Sequence, residues 1–261
     1  MNYQDKNWWF IFFQNKVLIQ EEASKFTLPT CFPSFLIGQS NEKVHHFKST
    51  NGVNCSAVAI NTIHEEQLPP TYELIDLRDS YFKLPLSLYK AAGMAYQLLY
   101  WDKNTKFCPV CGNRTEQVTA IMKKCSKCGK EQYPTINTAI IVLITKGDEI
   151  LLARGHKLRG NFYGLIAGFL EVGETLEECV HREVMEETNI IIKNLRYFGN
   201  QTWPYPSGLM IGFIAEYDSG EIKIQEEELK SAAFYHKDNL PNLPQKLSLA
   251  RKMIDAWLNK E

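Results

Sequence analysis

The pattern of apolar and polar positions predicts a small sheet and one helix in the first part of the chain. The apolar run from Trp8 to Ile19 is interrupted by the polar turn Gln14-Asn15-Lys16, which predicts two short strands, and Cys55–Ile60 predicts another. From Ser87 to about Trp101, apolar residues recur at helical spacing until a polar stretch at 102–106. We expect a first lobe that ends at residue 106.

A second lobe is predicted from residue 133 onward. Ala139–Thr145 and Ile150–Arg154 are predicted to be paired strands around a tight turn at Gly147-Asp148. The later elements are predicted as a helix at Leu176–Thr188, strands near Ile190–Tyr197 and Met210–Tyr217, and a last helix at about Ser248–Leu258.

Between the two lobes lie four cysteines with metal-ligand spacing. Cys108/Cys111 and Cys125/Cys128 are two Cys-x-x-Cys pairs, with thirteen residues between them and a glycine after each pair. Zinc takes four soft ligands in a tetrahedron, and glycine permits the tight backbone turn that presents two thiolates to one ion. The segment 107–132 is therefore predicted to be a zinc ribbon. Four thiolates leave no open coordination position, so this zinc is expected to be structural.

Two other interpretations of the cysteine segment stay open. In one, the cysteines form two disulfides or are paired by chance. In the other, the segment belongs to a nucleic-acid-binding protein, since zinc ribbons also occur there. That interpretation depends on basic residues around the second pair, which either meet phosphates or are simply solvated: Lys123, Lys124, Lys127 and Lys130.

Composition and charge narrow the class of protein without indicating an activity. Hydrophobic residues make up 44% of the chain and charged residues 23%, which excludes a collagen-like or wholly disordered protein. The net charge of −1 gives no whole-protein attraction to nucleic acid or to an anionic membrane. The apolar run Trp8–Phe13 is too short to span a bilayer and lacks a cleavage site, so we expect no membrane anchor or export signal.

The cysteine count bears on the cellular compartment. Seven cysteines is an odd number, and two Cys-x-x-Cys pairs suit a reducing environment, so a cytoplasmic protein is expected. Nothing near Cys31, Cys55 or Cys179 indicates an activated thiolate. We expect each of these three to be a small buried apolar residue.

The segment from Gly168 to Ile190 contains a helix with clear start and stop signals. Thr175 and Glu178, three residues apart, form a capping box in which each side chain accepts a backbone N–H that the new helix leaves unpaired. At the other end stands Asn189, which adopts the left-handed conformation of helix caps more readily than most residues.

Three glutamates of this helix fall on one face. Glu183, Glu186 and Glu187 stand at i, i+3 and i+4. Like charges at this spacing cost an isolated helix about 0.2–0.5 kcal/mol per pair, so a bound cation is one explanation and a solvated acidic face is the other. Hard divalent ions such as Mg2+ or Mn2+ prefer carboxylate oxygens and bridge readily to phosphates.

These residues resemble the Nudix box, G-x5-E-x7-R-E-U-x-E-E-x-G-U, in which U is aliphatic. The match covers Gly168, Glu174, Arg182, Glu183, Val184, Glu186, Glu187 and Ile190, and departs from the box only at Asn189, which replaces the last glycine. Because both residues adopt the left-handed cap, we expect the helix end to be preserved.

The resemblance implies a chemistry for the second lobe. Nudix hydrolases fold as a mixed sheet between helices and cleave a nucleoside diphosphate linked to another group, with metal ions that neutralise the diphosphate and activate a water. Glu183 and Glu187 are thereby implied as metal ligands, and Glu186 as a further ligand or as the acceptor of a proton from water. Arg182 is expected to orient a glutamate. The carbonyl of Ala167 is a metal ligand in similar proteins.

A second motif resembles the SQPWPFPxSLM signature of the NADH pyrophosphatase branch. Here it is Asn200-Gln201-Thr202-Trp203-Pro204-Tyr205-Pro206-Ser207-Gly208-Leu209-Met210. Two prolines beside two aromatic rings make a stiff loop suited to stacking on a base at small ordering cost, or alternatively a surface turn with packed aromatics. The chain departs from the signature at Asn200, Thr202, Tyr205 and Gly208, which affects substrate preference rather than chemistry.

The branch resemblance extends over nearly the whole chain. It implies that Gln201 to Gly208 bind substrate, that Tyr133 and Phe169 line the nucleotide site, and that Ala250 approaches the substrate. Glu228 is implied as a further metal ligand, although it belongs to the run Glu226-Glu227-Glu228, for which simple solvation is the alternative. Members of the branch work as homodimers, and some also remove NAD caps from the 5′ end of RNA.

Together these features predict an α+β protein with three parts: an N-terminal small α/β lobe at 1–106, a zinc ribbon at 107–132, and a Nudix α/β/α sandwich with a mixed sheet at 133–261. The expected substrate is NADH, NAD+ or an NAD-capped RNA, cleaved with Mg2+ or Mn2+. A Nudix hydrolase of ADP-ribose or another nucleotide diphosphate derivative stays an alternative. So does a zinc-ribbon RNA-binding protein with an idle Nudix lobe. No Gly-x-Gly-x-x-Gly follows a strand, which excludes the usual dehydrogenase motif.

Overall fold

The computed structural model describes residues 7–38, 43–156 and 161–259. It contains two compact units, each with its own core. The first runs to Thr135 and also includes Pro204–Ser207, and the second holds the remaining residues from Ile136 onward. The predicted boundaries at residues 106 and 132 stay predictions.

The first unit is built on a six-stranded sheet. Its strands are β1 Trp8–Phe13, β2 Lys16–Glu22, β3 Lys25–Thr27, β4 His45–Lys48, β5 Asn54–Ala59 and β6 Tyr72–Asp76. They lie in the order β3-β2-β1-β5-β4, with β6 paired to β2. The parallel pair, β1 with β5, joins segments that are far apart in sequence. The predicted strands in 8–19 and at 55–60 are confirmed.

One helix and a small three-stranded sheet complete the first unit. The helix α1, Leu86–Asn104, buries an apolar face that includes Leu88, Ala92 and Ala95, and it packs on β1 and β5. Neither α1 nor any other helix in the described ranges is long and apolar enough to cross a membrane. The small sheet holds the cysteine segment and consists of β7 Thr115–Thr119, β8 Met122–Cys125 and β9 Glu131–Gln132.

Lys123 is buried rather than presented to solvent. Its ammonium lies 2.6 Å from a carboxylate oxygen of Asp102, at the end of α1, and over the ring of Trp101. The other carboxylate oxygen of Asp102 lies 3.3 Å from the imidazole of His45. Burial alone raises the pKa of Asp102, but His45 and Lys123 outweigh it and hold that pKa well below its usual range. Both interpretations of Lys123, contact with phosphates and simple solvation, are therefore wrong, because this lysine is buried and neutralises the half-buried carboxylate of Asp102.

The second unit is built on a mixed sheet with two helices. Its elements are β10 Asn137–Lys146, β11 Glu149–Gly155, β12 Ile166–Phe169, α2 Leu176–Thr188, β13 Ile191–Trp203, β14 Gly208–Ser219, β15 Leu229–His236 and α3 Leu249–Asn259. The strands lie in the order β13-β14-β10-β11-β15, with β12 paired to β10. The central strand β10 runs parallel to β14 and antiparallel to β11 and β12. The predicted elements are confirmed, and the two late strands are longer than expected.

Both faces of this sheet are covered by helices. Val142 and Ile144 of β10 pack in one core with residues of α2, among them Val184. Leu143, between them in sequence, points to the opposite core together with Met253 of α3. Successive side chains of a strand alternate between faces, so the unbroken apolar run of β10 serves both cores. The predicted α/β/α sandwich is confirmed.

The ends of α2 have the predicted geometry. The hydroxyl of Thr175 accepts the backbone N–H of Glu178, whose carboxylate accepts the backbone N–H of Thr175. Asn189 ends the helix in the left-handed conformation with φ 58°, and its side-chain amide donates to the carbonyl of Glu221. The residue that departs from the Nudix box thus keeps the helix end.

The three cysteines outside the ribbon differ in exposure. Cys55 and Cys179 are buried, and burial raises the pKa of each thiol to about 11, which disfavours a nucleophilic thiolate. Cys31 is exposed, so the expectation of a buried residue at that position is wrong. It lies in an irregular segment after β3 rather than in a strand or helix.

Asn189→Ala is expected to lower the free energy of unfolding by about 1 kcal/mol. Alanine is strained in the left-handed conformation and cannot make the hydrogen bond to the carbonyl of Glu221. Asn189→Gly is expected to change it by less than about 0.5 kcal/mol. Denaturant unfolding measures both, with Glu177→Ala, an exposed first-turn variant of α2, as the control. Equal losses in the alanine and glycine variants would contradict the left-handed cap.

Candidate active site

The carboxylate of Glu183 lies directly against the backbone of Gly168. A Cβ atom at Gly168 would stand 1.8 Å from Cδ of Glu183, so no other residue fits there without displacing the carboxylate. Gly168 is paired with Ile140 of β10, and Glu183 projects from α2. The first glycine of the box is therefore required by close approach rather than by a positive φ.

Arg182 holds this part of the site together. Its Nη1 donates to Glu183 Oε1 at 2.9 Å and to Glu186 Oε2 at 3.0 Å, and its Nη2 donates to the carbonyl of Phe169 at 3.0 Å. Nε and Nη2 together bind the carboxylate of Glu174. One planar guanidinium thus ties three carboxylates of the box to the end of β12.

The charges of these carboxylates are balanced unequally. The Arg182 guanidinium lowers the pKa of Glu174 to about 2, so Glu174 is a fully ionised structural partner. Burial raises the pKa of Glu183 above its usual value, although Arg182 counteracts it. Arg182 alone therefore does not compensate the burial of Glu183, and a cation beside this carboxylate would favour its charged form.

The remaining predicted metal ligands of this unit lie on α2, in β12 and just before β15. Glu187 follows one turn later on α2 with only 9% of its surface exposed, whereas Glu186 is exposed. Ala167 precedes Gly168 in β12. Glu228 is half-buried just before β15, in contrast to its exposed neighbours at 226 and 227, which argues against a uniformly solvated acidic run. The ligand roles of these residues stay predictions.

An open cleft lies beside the end of β12. It has a volume of about 570 Å³ and is lined by Ile136, Asn137, Thr138, Phe169 and Leu170. The ring of Phe169 is 64% exposed, which is unusual for phenylalanine and leaves an aromatic face for a flat ligand. The backbone carbonyl of the same residue is bound by Arg182, so the ring and the glutamate cluster are fixed to one strand end.

The four ribbon cysteines converge on one point. Their sulfur atoms lie within 4.8 Å of one another, and the sulfur pairs 108/128, 111/125 and 111/128 are 3.5–3.6 Å apart. A tetrahedral zinc with metal–sulfur distances near 2.3 Å requires sulfur separations of about 3.8 Å, so the cluster fits zinc. A disulfide requires about 2.05 Å, and all four thiols are free. Among the described residues this is the one close group of three or more metal-binding side chains.

The first residues of the predicted substrate loop continue the sheet of the second unit. Gln201, Thr202 and Trp203 end β13, and Trp203 pairs with Gly208 at the start of β14. The side-chain amide of Gln201 donates to the carbonyl of Leu247 at 2.9 Å, while its oxygen is buried without a partner among the described residues.

The tip of the loop, Pro204–Ser207, belongs to the first unit. Pro204 and Ser207 are buried there, Pro206 is exposed, and the phenol of Tyr205 lies 2.7 Å from the phenol of Tyr89 in α1. The ring of Tyr205 therefore packs inside the first unit. Its predicted contact with substrate stays a prediction.

Tyr133 and Ala250, two residues predicted to lie at the substrate site, have different surroundings. Tyr133, in the first unit, is 53% exposed, and its hydroxyl donates to the carboxylate of Glu131 at 3.0 Å. Ala250 is buried in α3 of the second unit and packs in the core with Met253. The structure leaves an exposed ring at Tyr133 and a buried methyl at Ala250.

Sequence patterns missed the residues that hold the loop tip. Tyr89, Gly93 and Arg78 all contact it, yet none belongs to a recognised motif. The available signal was Gly93, a glycine in the middle of a strongly helical stretch. Such a glycine destabilises a helix by about 1 kcal/mol relative to alanine, so its presence indicates a close approach.

Comparison with known proteins identifies the family. Residues 134–258 match the profile of the NUDIX domain, and residues 6–101 match that of the NADH pyrophosphatase-like rudimentary NUDIX domain. The NAD-capped RNA hydrolase NudC of Mannheimia succiniciproducens is 41% identical over 203 residues, which cover 74% of this chain and 76% of that protein. This chain belongs to the Nudix family. Its two matched domains place it in the NADH pyrophosphatase branch.

Other similarities to Nudix proteins support the same family assignment. The NAD-capped RNA hydrolase NudC of Pseudomonas syringae pv. syringae is 45% identical over 70% of this chain and 66% of that protein. This chain spans 60–66% of the length of three such curated relatives. A NUDIX hydrolase structure from Nitrosomonas europaea has a TM-score of 0.52 at 19% identity, covering 60% of this chain and 92% of that one, which shows the shared fold.

The residues present fit the divalent metal centre of a Nudix hydrolase. Carboxylate oxygens and a peptide carbonyl are the donors that Mg2+ and Mn2+ prefer. The space that a Cβ would fill at Gly168 is taken by the carboxylate of Glu183, which is thereby fixed next to the carbonyl-bearing residue Ala167.

Cys128→Ser is expected to lower zinc content from about one ion per chain to well below half, because three thiolates hold the ion far less tightly than four. Cys31→Ser, an exposed cysteine outside the cluster, is the matched control and keeps its zinc. Elemental analysis of the purified proteins measures both. Equal zinc content in the two variants would contradict the four-thiolate site.

Gly168→Ala is expected to weaken Mn2+ binding by at least about tenfold, because its methyl group displaces the Glu183 carboxylate. Gly199→Ala is the matched control, since a Cβ there meets no atom within 4 Å. Electron paramagnetic resonance of free Mn2+ gives both affinities. Unchanged affinity in folded Gly168→Ala would remove Glu183 from the metal centre.

Proposed function

We propose that this protein is a metal-dependent pyrophosphatase that hydrolyses the diphosphate bond of NADH or NAD+. Water adds to one phosphorus, the bridging bond breaks, and the products are AMP and the nicotinamide mononucleotide. The observation that carries the chemistry is the largely buried carboxylate of Glu183 against Gly168, with Glu187 one turn further along the same helix face. These two carboxylates, beside an open cleft, support a site for a hard cation.

Each residue of the box has a proposed task. Mg2+ or Mn2+, when bound, would neutralise the diphosphate and increase the acidity of water. Glu183 and Glu187 would hold the metal, with Ala167 and Glu228 as further ligands. Arg182 fixes the orientation of Glu183 through its 2.9 Å hydrogen bond. Glu186, which is exposed, completes the metal cluster or accepts the proton from water.

Two features support NAD-type dinucleotides as substrates. Residues 6–101 match an NADH pyrophosphatase-like domain, and relatives that are 41–46% identical are NAD-capped RNA hydrolases. The exposed ring of Phe169 on the cleft suits stacking on a base. Because a free dinucleotide and an NAD cap present the same diphosphate, we propose both as substrates.

The further properties of the enzyme follow from the same resemblance. We propose a structural zinc in the ribbon, a homodimer and a cytoplasmic location. The four free thiols at zinc-compatible spacing support the zinc and a reducing compartment. Tyr133 and the loop from Gln201 to Gly208 are proposed to contact the substrate, and Ala250 to approach it.

Product analysis tests the proposed function directly. The pure protein is incubated with NADH, NAD+, ADP-ribose and NAD-capped RNA, each with Mn2+, Mg2+ or a chelator. Metal-dependent release of AMP and reduced nicotinamide mononucleotide from NADH is the expected result. Cleavage of ADP-ribose with intact NADH would contradict the substrate assignment, and no cleavage of any substrate would contradict the activity.

Glu187→Gln is expected to lower kcat on NADH by at least about 100-fold while the fold is kept, because a ligand charge is lost at nearly constant shape. Glu177→Gln, an exposed carboxylate on the first turn of α2, is the matched control and keeps normal turnover. Circular dichroism checks the fold of both proteins. Near-normal turnover by Glu187→Gln would remove Glu187 from the mechanism.

A further inference from the structure

Helix α1 carries a glycine where Pro204 packs. A Cβ at Gly93 would stand 2.8 Å from Cγ of Pro204, which is closer than side chains approach. Alanine would otherwise be favoured at this buried mid-helix position by about 1 kcal/mol. Gly93 is therefore explained by the proline of the loop tip, whose ring lies directly on the helix backbone.

The next residue of the loop is bound by a second residue of the same helix. Tyr89, one turn before Gly93, shares a hydrogen bond of 2.7 Å with Tyr205, phenol to phenol. The guanidinium of Arg78 lies 4.7 Å from the centre of the Tyr205 ring. Burial raises the pKa of Tyr205, so its hydroxyl stays protonated and available for this bond.

Tyr205 is also one of the four positions at which the loop departs from its signature, which has phenylalanine there. Phenylalanine needs no partner, whereas a buried phenol without one destabilises a protein by about 1–3 kcal/mol. The Tyr89 hydroxyl supplies that partner. The departure at residue 205 is thus matched within α1.

The other end of the loop tip is held as well. The hydroxyl of Ser207 is buried and donates to the carbonyl of Thr135, just before β10. The flanking residues Trp203 and Gly208 pair with each other as the ends of β13 and β14. Each residue of the tip except Pro206 therefore has a defined anchor.

We propose that Tyr89 and Gly93 of α1, together with Arg78, are positioning residues for substrate recognition: they fix the loop at Pro204 and Tyr205 in its binding conformation. This inference rests on the proposed function, in which the Gln201–Gly208 loop contacts a dinucleotide. It assigns a task to the N-terminal unit, which carries none of the box glutamates. A loop held before substrate arrives loses little entropy on binding, whereas a released loop must be ordered at the cost of affinity.

The test separates binding from chemistry. Gly93→Ala, which forces Pro204 away from the helix, is expected to raise KM for NADH about 5- to 10-fold, with kcat within about twofold of wild type. Tyr89→Phe, which removes the hydrogen bond between the two phenols, is expected to raise KM about three- to fivefold. Lys90→Ala, an exposed α1 position between them, is the matched control and leaves KM unchanged.

A double variant tests whether the two hydroxyls act through one hydrogen bond. In Tyr89→Phe/Tyr205→Phe both hydroxyls are absent, and KM is expected to rise no further than the sum of the two single changes, and less than that sum, because both changes remove the same hydrogen bond. Thermal unfolding verifies that each variant is folded. If Gly93→Ala does not fold, the tyrosine variants alone test the positioning role of α1.

Three outcomes would overturn the inference. The first is an unchanged KM in folded Tyr89→Phe. The second is a rise of KM in Lys90→Ala as large as that in Tyr89→Phe. The third is a decrease of kcat without any change of KM. A failure of the proposed function looks different, because the wild-type protein would then leave NADH intact, and the positioning role would fall with it.

Discussion

The packing of Glu183 on Gly168 is the contact on which the candidate site depends. It places a largely buried carboxylate of α2 against the end of β12, where any side chain on the strand would exclude it. Arg182 then joins Glu183, Glu186 and Glu174 to the carbonyl of Phe169. Because burial disfavours the charged form of Glu183, the protein maintains an arrangement that a bound cation would stabilise. The α/β/α sandwich supplies the rigid strand and helix that keep these atoms in place.

The same principle of close approach recurs in the first unit. Gly93 admits Pro204 to the backbone of α1, as Gly168 admits Glu183 to the backbone of β12. In each case a glycine in regular structure, with ordinary φ, makes room for one functional segment. The buried Lys123–Asp102–His45 cluster, with a 2.6 Å ion pair at its centre, connects the ribbon strand β8 to the end of α1. The N-terminal unit thus holds both the ribbon and the loop tip by specific polar contacts rather than by apolar burial alone.

Local sequence signals predicted the structural features that depend only on interactions between residues close in sequence. The capping box at Thr175, the left-handed cap at Asn189 and the shared face of Glu183 and Glu187 all depend on residues within a few turns, and the structure has them. The parallel pairing of β1 with β5 could not be predicted, because it joins distant segments and no turn fixes its register. The burial of Lys123 could not be predicted, because its partner Asp102 lies 21 residues away in sequence. The Tyr89–Tyr205 pair, 116 residues apart, is beyond local patterns for the same reason.

The central claim is that the Gly168–Glu183 contact is the foundation of a divalent metal site. A crystal structure of the protein in millimolar Mn2+, with anomalous diffraction data, tests it most directly. The account predicts an anomalous peak bounded by the carboxylates of Glu183 and Glu187 and the carbonyl of Ala167, with Arg182 still bound to Glu174. A map without a peak at these oxygens, or Mn2+ bound only at exposed acidic residues elsewhere, would contradict it.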